Sequence, residues 1–315
     1  MARRASGPPP TFRAAPVRVR VPATSANIGP GFDACGLALS LYDDVVVQVT
    51  EAGVDVQVAG EGTDRVPLGE RHLVVRALRA AFDELGGQPR GLALRCANRI
   101  PHGRGLGSSA AAIVAGVVAA RALVSKGSER LDDEAVLRLV ASIEGHPDNA
   151  AACLLGGYTV AWTTERGAQA ISLAVAPTVV PVVLYPAEEV ATAKARKLLP
   201  DQVPFADAAQ ASGRAALLTA ALTTCPEFLL EATEDSLHQT YREPAMPDTV
   251  ALVRRLREAG IAATVSGAGP TVLALVDESG VGPALAAAPP GWTAARLAVD
   301  GDGAVVLPMS RALAV

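Results

Sequence analysis

Aromatic side chains are scarce. Two Trp, four Tyr and five Phe make up 3% of the 315 residues, too few for the stacking platforms that hold single-stranded nucleic acid. An excess of basic charge is missing too. The 28 Lys and Arg against 32 Asp and Glu leave a net charge of −4, which argues against a large nucleic-acid surface. Cysteine is sparse: Cys35, Cys96, Cys153 and Cys225 lie far apart with no C-x-x-C pair. That pattern argues against a disulfide framework or a structural zinc site, and makes a reduced, cytoplasmic setting the expectation. The longest apolar run, residues 110–120, is shorter than the ~18–20 residues of a membrane span. No apolar segment follows the N-terminal arginines, so the start does not read as a signal peptide. Residues 1–15 are rich in Pro and small residues and read as a disordered arm; Pro8, Pro9 and Pro10 would break an amphipathic transit helix.

What remains is ordinary globular material, 50% hydrophobic and 19% charged, enough for two domains. Val17, Val19 and Val21 alternate with Arg18 and Arg20, the two-residue period of a strand. Residues 45–50 and 54–59 are two β-branched runs joined by Glu51-Ala52-Gly53, which reads as a hairpin. Val74, Leu78, Ala81 and Leu85 share a helical face that Gly86 stops. A helix over about 132–144 carries acids in its first turn, and Pro147 is expected to end it. Beyond about residue 165 strands and helices take a different rhythm, which places a soft boundary there: an N-terminal domain over 16–165 and a C-terminal domain over 166–315. The mixture of hairpins and helices predicts an α+β fold.

Three loops carry chemistry. Gly103, Gly105 and Gly107 alternate through a loop that runs straight into an Ala-rich helix, with Ser108 and Ser109 at the expected N-cap. Such a loop bends tightly, and the helix start offers free N–H groups and a positive dipole end to an anion such as phosphate. The spacing is neither that of the dinucleotide fingerprint nor that of the Walker loop. A plain glycine turn capped by serine fits the glycines as well. Ser266, Gly267, Ala268 and Gly269, ahead of Pro270, form a second small-residue loop between two strands, readable as a tight turn or as a backbone surface beside the first loop. Residues 24–33 (TSANIGPGFD) follow the first strand and fit either a polar pocket wall or a solvated Asx turn.

Taken together, in this order, the three loops resemble those of the GHMP kinase superfamily. Its phosphate loop, P-x-G-x-G-L-G-S-S-A-A, is matched without a gap by Pro101, His102, Gly103, Arg104, Gly105, Leu106, Gly107, Ser108, Ser109, Ala110 and Ala111. Within the superfamily the homoserine kinases are the nearest likeness. The opening VPATSANIGPGFDACGLAL, the segment E-G-H-P-D-N at 144–149, T-x-x-A-R-x-x-L-P at 192–200 and L-H-Q-x-Y-R at 237–242 all resemble that family's segments. The resemblance covers the chain from about Val17 onward.

It implies an S5-like N-terminal domain, a ferredoxin-like C-terminal domain and an active site between them. It implies ATP as phosphoryl donor on residues 101–111, with Mg²⁺ held by Ser109 and Glu144. It implies L-homoserine as acceptor, phosphorylated on its side-chain hydroxyl on the path to threonine. Asn27, Asp33, His146, Asn149, Arg196 and Arg242 would surround the amino acid, Asp33 facing its ammonium and the two arginines its carboxylate or the γ-phosphate. Where other members place a catalytic Asp, Asn149 stands here. Asn is no base at neutral pH, so Asn149 would orient the hydroxyl while the phosphate takes the proton, as a loose transition state allows. Arg196 would assist transfer. A homodimer is common in the family. A different carboxylated alcohol, such as mevalonate or shikimate, is the competing substrate. A catalytically silent nucleotide binder is the competing class, and the intact loop and Glu144 speak against it.

Overall fold

The computed structural model describes residues 9–309. Among these residues eleven strands form two sheets. The first sheet has the order β11-β1-β2-β4-β3, with β5 also paired to β2 and β6 to β5. Its members are β1 (Val17–Ala26), β2 (Cys35–Thr50), β3 (Gly53–Gly60), β4 (Gly91–Asn98), β5 (Tyr158–Thr164), β6 (Gly167–Leu173) and β11 (Val305–Leu307). The second sheet is antiparallel, order β10-β7-β9-β8, from β7 (Val180–Tyr185), β8 (Ala262–Val265), β9 (Val272–Val276) and β10 (Thr293–Arg296).

The expected hairpin of β2 and β3 does not form. β4 lies between them, antiparallel to β2 and parallel to β3, and Gly91 opposes both Thr50 and Gly53. Burial explains the order. Leu92, Leu94 and Cys96 of β4 alternate into the core, whereas β3 buries only Val56. The strand with a complete apolar face takes the inner position, and the more polar strand takes the edge.

Helices cover the sheets. α1 (Leu73–Leu85) ends at Gly86 in the left-handed conformation, as expected. α2 (Ser108–Leu123) is apolar nearly all round and is the central core helix. The short α3 (Gly127–Arg130) leads to α4 (Asp133–Glu144), capped by Asp132 accepting from the Ala135 N–H. α4 stops at left-handed Gly145, not at Pro147. Pro147 instead opens α5 (Pro147–Leu155), where its missing N–H costs nothing. Then come α6 (Thr192–Arg196), α7 (Phe205–Thr223), α8 (Leu229–Ala232), α9 (Gln239–Arg242), α10 (Pro247–Glu258) and α11 (Val281–Ala286).

The second sheet is buried on both faces. Val183, Leu273 and Leu275 join the main core, together with Leu218 and Leu222 of α7, while Val182, Leu184 and Val265 pack with α10. β6 and β11 follow residue 165 in the chain yet complete the first sheet. Residues 1–8 of the expected arm lie outside the described residues. From Thr11 onward it is docked: the Arg13 and Ser125 N–H groups bond across to Leu123 and Thr11, and the Phe12 ring meets Phe82 edge-on at 5.5 Å. Among the described residues no helix is long and apolar enough to cross a membrane.

Candidate active site

The glycine loop is shaped by what presses on it. Gly107, not a serine, is the N-cap of α2, and it sits at φ +72. A Cβ there would lie 1.9 Å from Thr24 Oγ1, and one on Gly105 would lie 2.3 Å from the Ser266 carbonyl oxygen. Only glycine allows these approaches together with the left-handed backbone. Ser108 and Ser109 therefore become the first helical residues, and their hydroxyls are released from capping. The Ser109 hydroxyl donates to Glu144 Oε1 at 2.6 Å. Burial pushes the Glu144 carboxyl up, and the serine bond pulls the other way.

The loop of Ser266 to Gly269 lies against the first. Ser266 Oγ donates to the Gly105 carbonyl at 2.6 Å, and Thr271 Oγ1 donates to the Arg104 carbonyl. Asn27 ties the third loop to the second: its Nδ2 donates to the Gly267 carbonyl at 2.8 Å, and its Oδ1 accepts from the Asp33 N–H at 2.9 Å. Asn27 and Asp33 both hold positive φ to do so.

One cleft of about 300 Å³ joins these pieces. Asn27, Asp33, Gly103, Gly105, Gly107, Ser108, Ser109, Glu144, His146, Asn149, Arg196, Arg242, Gly267 and Ala268 all line it. Across it the Arg196 guanidinium donates to Asp33 Oδ2 at 2.6 Å. Arg242 is buried, and among the described residues no carboxylate lies within ion-pair distance of it. Burial, and then the neighbouring Arg196, push its guanidinium down. The Thr24 hydroxyl donates to Asn149 Oδ1 at 2.7 Å, so the carboxamide turns its NH₂ end away from Thr24 as a donor. Asp148 is buried beside it, accepts from the Asn149 N–H at 2.7 Å, and has its carboxyl pushed up by burial. His146 Nδ1 has no hydrogen bond among the described residues and lies 3.6 Å from Asp148 Oδ1.

Several expected site residues do not face this cleft. Leu106, Ala110 and Ala111 are core residues, and Pro101 is buried behind the loop. Ser266 and Gly269 support the wall without lining it. Arg104 turns its guanidinium away from the cleft. It donates to the carbonyls of Pro186, His102 and Ala187, and so holds residues 186–190 onto the loop, with the Val190 N–H bonded to the Gly103 carbonyl.

A neighbouring cavity of about 370 Å³ shares Ser108 and Ser109 and is largely apolar, with Val21, Val45, Val66, Leu73, Val74 and Ala112 in its walls. His102 and buried His72 line it, and His72 Nδ1 has no hydrogen-bond partner among the described residues. Sequence reasoning missed this cavity, since its residues come from β1, β2, β4, α1, α2 and the loops before the two helices, with no local motif. It also passed over Thr24 as Asn149's partner, and Thr192, which lines the main cleft within the T-x-x-A-R segment. A larger cavity of about 700 Å³, lined by 172–181 and 296–299 among others, holds none of the expected site residues.

The two-sheet architecture, with a glycine loop feeding a core helix beside a small-residue loop, defines a class. Residues 72–157 match the family model of the GHMP kinases N terminal domain, and residues 206–289 match that of the GHMP kinases C terminal. The fold superposes on a homoserine kinase crystal structure from Cytophaga hutchinsonii, with TM-score 0.80 and 24% identity over 94% of this chain and 98% of that one. It also superposes on mevalonate diphosphate decarboxylase from Staphylococcus aureus, with TM-score 0.68 and 16% identity over 93% and 98% of the two chains. The fold is therefore that of the GHMP superfamily, and at these identities it does not choose among the superfamily's chemistries. Sequence does. Homoserine kinases of Streptomyces avermitilis and Streptomyces coelicolor are each 61% identical to this chain over 96% of its length, covering 99% and 98% of theirs. The chain belongs to the homoserine kinase family of the GHMP superfamily.

Proposed function

We propose that this chain transfers the γ-phosphoryl group of ATP to the side-chain hydroxyl of L-homoserine, giving O-phospho-L-homoserine. The observation that carries the reading is a single cleft holding both the glycine-loop helix start and the Asp33–Arg196 pair. One end suits phosphate, and the other suits a molecule bearing both an ammonium and a carboxylate.

The loop of residues 101–111 binds ATP through the members that line the cleft, Gly103, Gly105, Gly107, Ser108 and Ser109. The N–H groups of Gly105, Gly107 and Ser108 face the phosphates, and the apolar cavity beside Ser108 takes the base. Ser109 and Glu144 fit a hard divalent cation: both offer oxygen, they lie 2.6 Å apart, and they sit at the mouth of the phosphate site. Mg²⁺ held there would neutralise phosphate charge. Asp33 receives the substrate ammonium and Arg196 its carboxylate, each exchanging its present partner for substrate. Arg242, a buried cation with no carboxylate in ion-pair reach among the described residues, faces the transferred phosphoryl group or the carboxylate. Asn149, aimed by Thr24, donates its NH₂ to the acceptor hydroxyl and orients its lone pair for in-line attack. The proton leaves late, to the phosphoryl oxygens, because a loose transition state asks little of a base.

Net charge and composition support a cytoplasmic enzyme working without nucleic acid or membrane, and the family's habit supports a homodimer.

ADP release from Mg-ATP with L-homoserine, L-threonine, L-serine, mevalonate and shikimate tests the reading. Turnover with homoserine should exceed the others by at least about tenfold, the scale of one well-made polar contact. Turnover confined to mevalonate or shikimate overturns the substrate pocket and leaves the nucleotide side standing. ATP binding without any turnover overturns the enzyme reading.

A further inference from the structure

Behind the cleft, in contact with its lining residue Arg242, lies a buried imidazole that the reaction above does not use. His238 is 1% exposed and sits at the head of α9, four residues before Arg242. The segment around it is pinned. Asp235 accepts from the N–H groups of Leu237, His238 and Gln239, and Gln239 Oε1 accepts from the Val265 N–H at 2.6 Å.

The partners of the ring settle its tautomer. Nε2 lies 2.9 Å from the Gly29 carbonyl oxygen, which can only accept, so Nε2 carries the hydrogen. Nδ1 lies 3.2 Å from Arg242 Nη1, which can only donate, so Nδ1 presents its lone pair. Burial pushes this imidazole down from its ordinary value, which keeps it neutral and the lone pair available. The ring also stacks on Phe32, with centroids 5.1 Å apart and planes at 29°. Phe32 in turn carries the guanidinium carbons of Arg242 at 5.5 Å and Arg196 at 5.7 Å from its centroid.

The consequence falls on Arg242. Its Nη1 is fully used, donating to His238 Nδ1 and to the Gly267 carbonyl at 3.0 Å. Its Nε is buried and has no hydrogen-bond partner among the described residues. Nε and Nη2 form one edge of the planar guanidinium, the edge that grips two oxygens of a carboxylate or phosphate at once.

We propose that His238 is a positioning residue for phosphoryl transfer: it anchors Nη1 of Arg242, so that the Nε–Nη2 edge is held as a two-pronged donor for the oxygens of the bound substrate. Without that anchor the guanidinium can swing about its stem and offer a single prong. The inference rests on the proposed role of Arg242 and adds what fixes its geometry.

The test is a double-mutant cycle with a rescue. His238→Phe keeps the stack on Phe32 and removes the acceptor, whereas His238→Gln keeps an amide oxygen and an N–H. His238→Phe should lower kcat/KM for homoserine about 30-fold, the scale of a lost hydrogen bond to a charged group, with the KM for ATP within about threefold of wild type. His238→Gln should recover at least about tenfold of that loss. Arg242→Ala should cost more, and adding His238→Phe to it should cost nothing further. Losses that multiply in the double variant overturn the proposal, as does equal impairment of the Phe and Gln variants. If His238→Phe does not fold, the cycle is run with His238→Gln and Arg242→Ala, and full additivity again overturns it. Impaired Arg242→Ala beside an unimpaired His238→Phe removes His238 alone. Wild-type kinetics in Arg242→Ala removes the reading of Arg242 on which the proposal stands.

Discussion

The two walls of the cleft are held by different means. On the wall formed by residues 101–111 and 266–269, glycine backbone is pressed by carbonyls and short hydroxyl side chains. Gly105 meets the Ser266 carbonyl, Gly107 meets Thr24, and the hydroxyls of Ser266 and Thr271 donate to loop carbonyls. On the opposite wall side chains hold side chains: Arg196 on Asp33, Arg242 on His238, Phe32 against all three cationic or aromatic neighbours. A wall packed this closely leaves no room for an added atom, and neither His102 nor Arg104 lines the cleft on that side. A side-chain wall accepts change in steps and answers to charge. This division matches the ligands proposed for each. Phosphate is recognised by N–H groups at fixed positions, and an amino acid is recognised by its two charges.

The sharpest break is Gly107→Ala. The methyl would sit on the Thr24 hydroxyl in a left-handed backbone, so the loop must move. Turnover should fall more than about 100-fold, and stability by about 1–3 kcal/mol, in steady-state assays and urea unfolding. On the other wall the loss should be graded. Arg196→Ala should raise the KM for homoserine about 10–100-fold and leave that for ATP unchanged, with Arg196→Lys recovering part but not all, since an ammonium cannot grip two oxygens. An equal rise for both substrates would mean that the walls are not separable in this way. Thr24→Val touches the seam between them. It removes the donor to Asn149 at nearly constant shape, and kcat should drop about 5–10-fold with both KM values held.

The smallest effect is on stability against pH. Burial holds the imidazoles of His238 and His72 below their ordinary value of 6.5. Below that value the unfolded chain takes up protons that the folded chain refuses, so the stability these groups contribute is complete above pH 6.5 and is lost as pH falls below it. Melting temperatures measured from pH 7.5 to 5.5 should fall, and fall less in His238→Gln. An unchanged slope in that variant would show that the side-chain wall does not respond to acid through His238.

Much of this was legible in the chain. The alternation of Val17, Val19 and Val21, the stop at Gly86 and the glycine loop running into α2 are local patterns, set by sterics within a few residues. Even so, the serines expected at the N-cap of α2 were displaced by Gly107, because Thr24, 83 positions earlier, occupies the space a side chain would need. Arg104 read as part of a phosphate motif, yet its guanidinium serves the carbonyls of Pro186 and Ala187. No local rule names a partner that far along the chain.

By itself, then, the sequence determined which segments are strands and helices, where glycine must stand, and which polar residues are available to a cleft, since these follow from backbone sterics and side-chain period. Tertiary structure alone decided that β4 enters between β2 and β3, that β11 returns to β1, and that Asp33 meets Arg196, Thr24 meets Asn149 and Arg242 meets His238. These pairings are won by whichever arrangement buries the most apolar surface while leaving the fewest polar atoms unmatched, a condition on the whole chain that no short stretch of it contains.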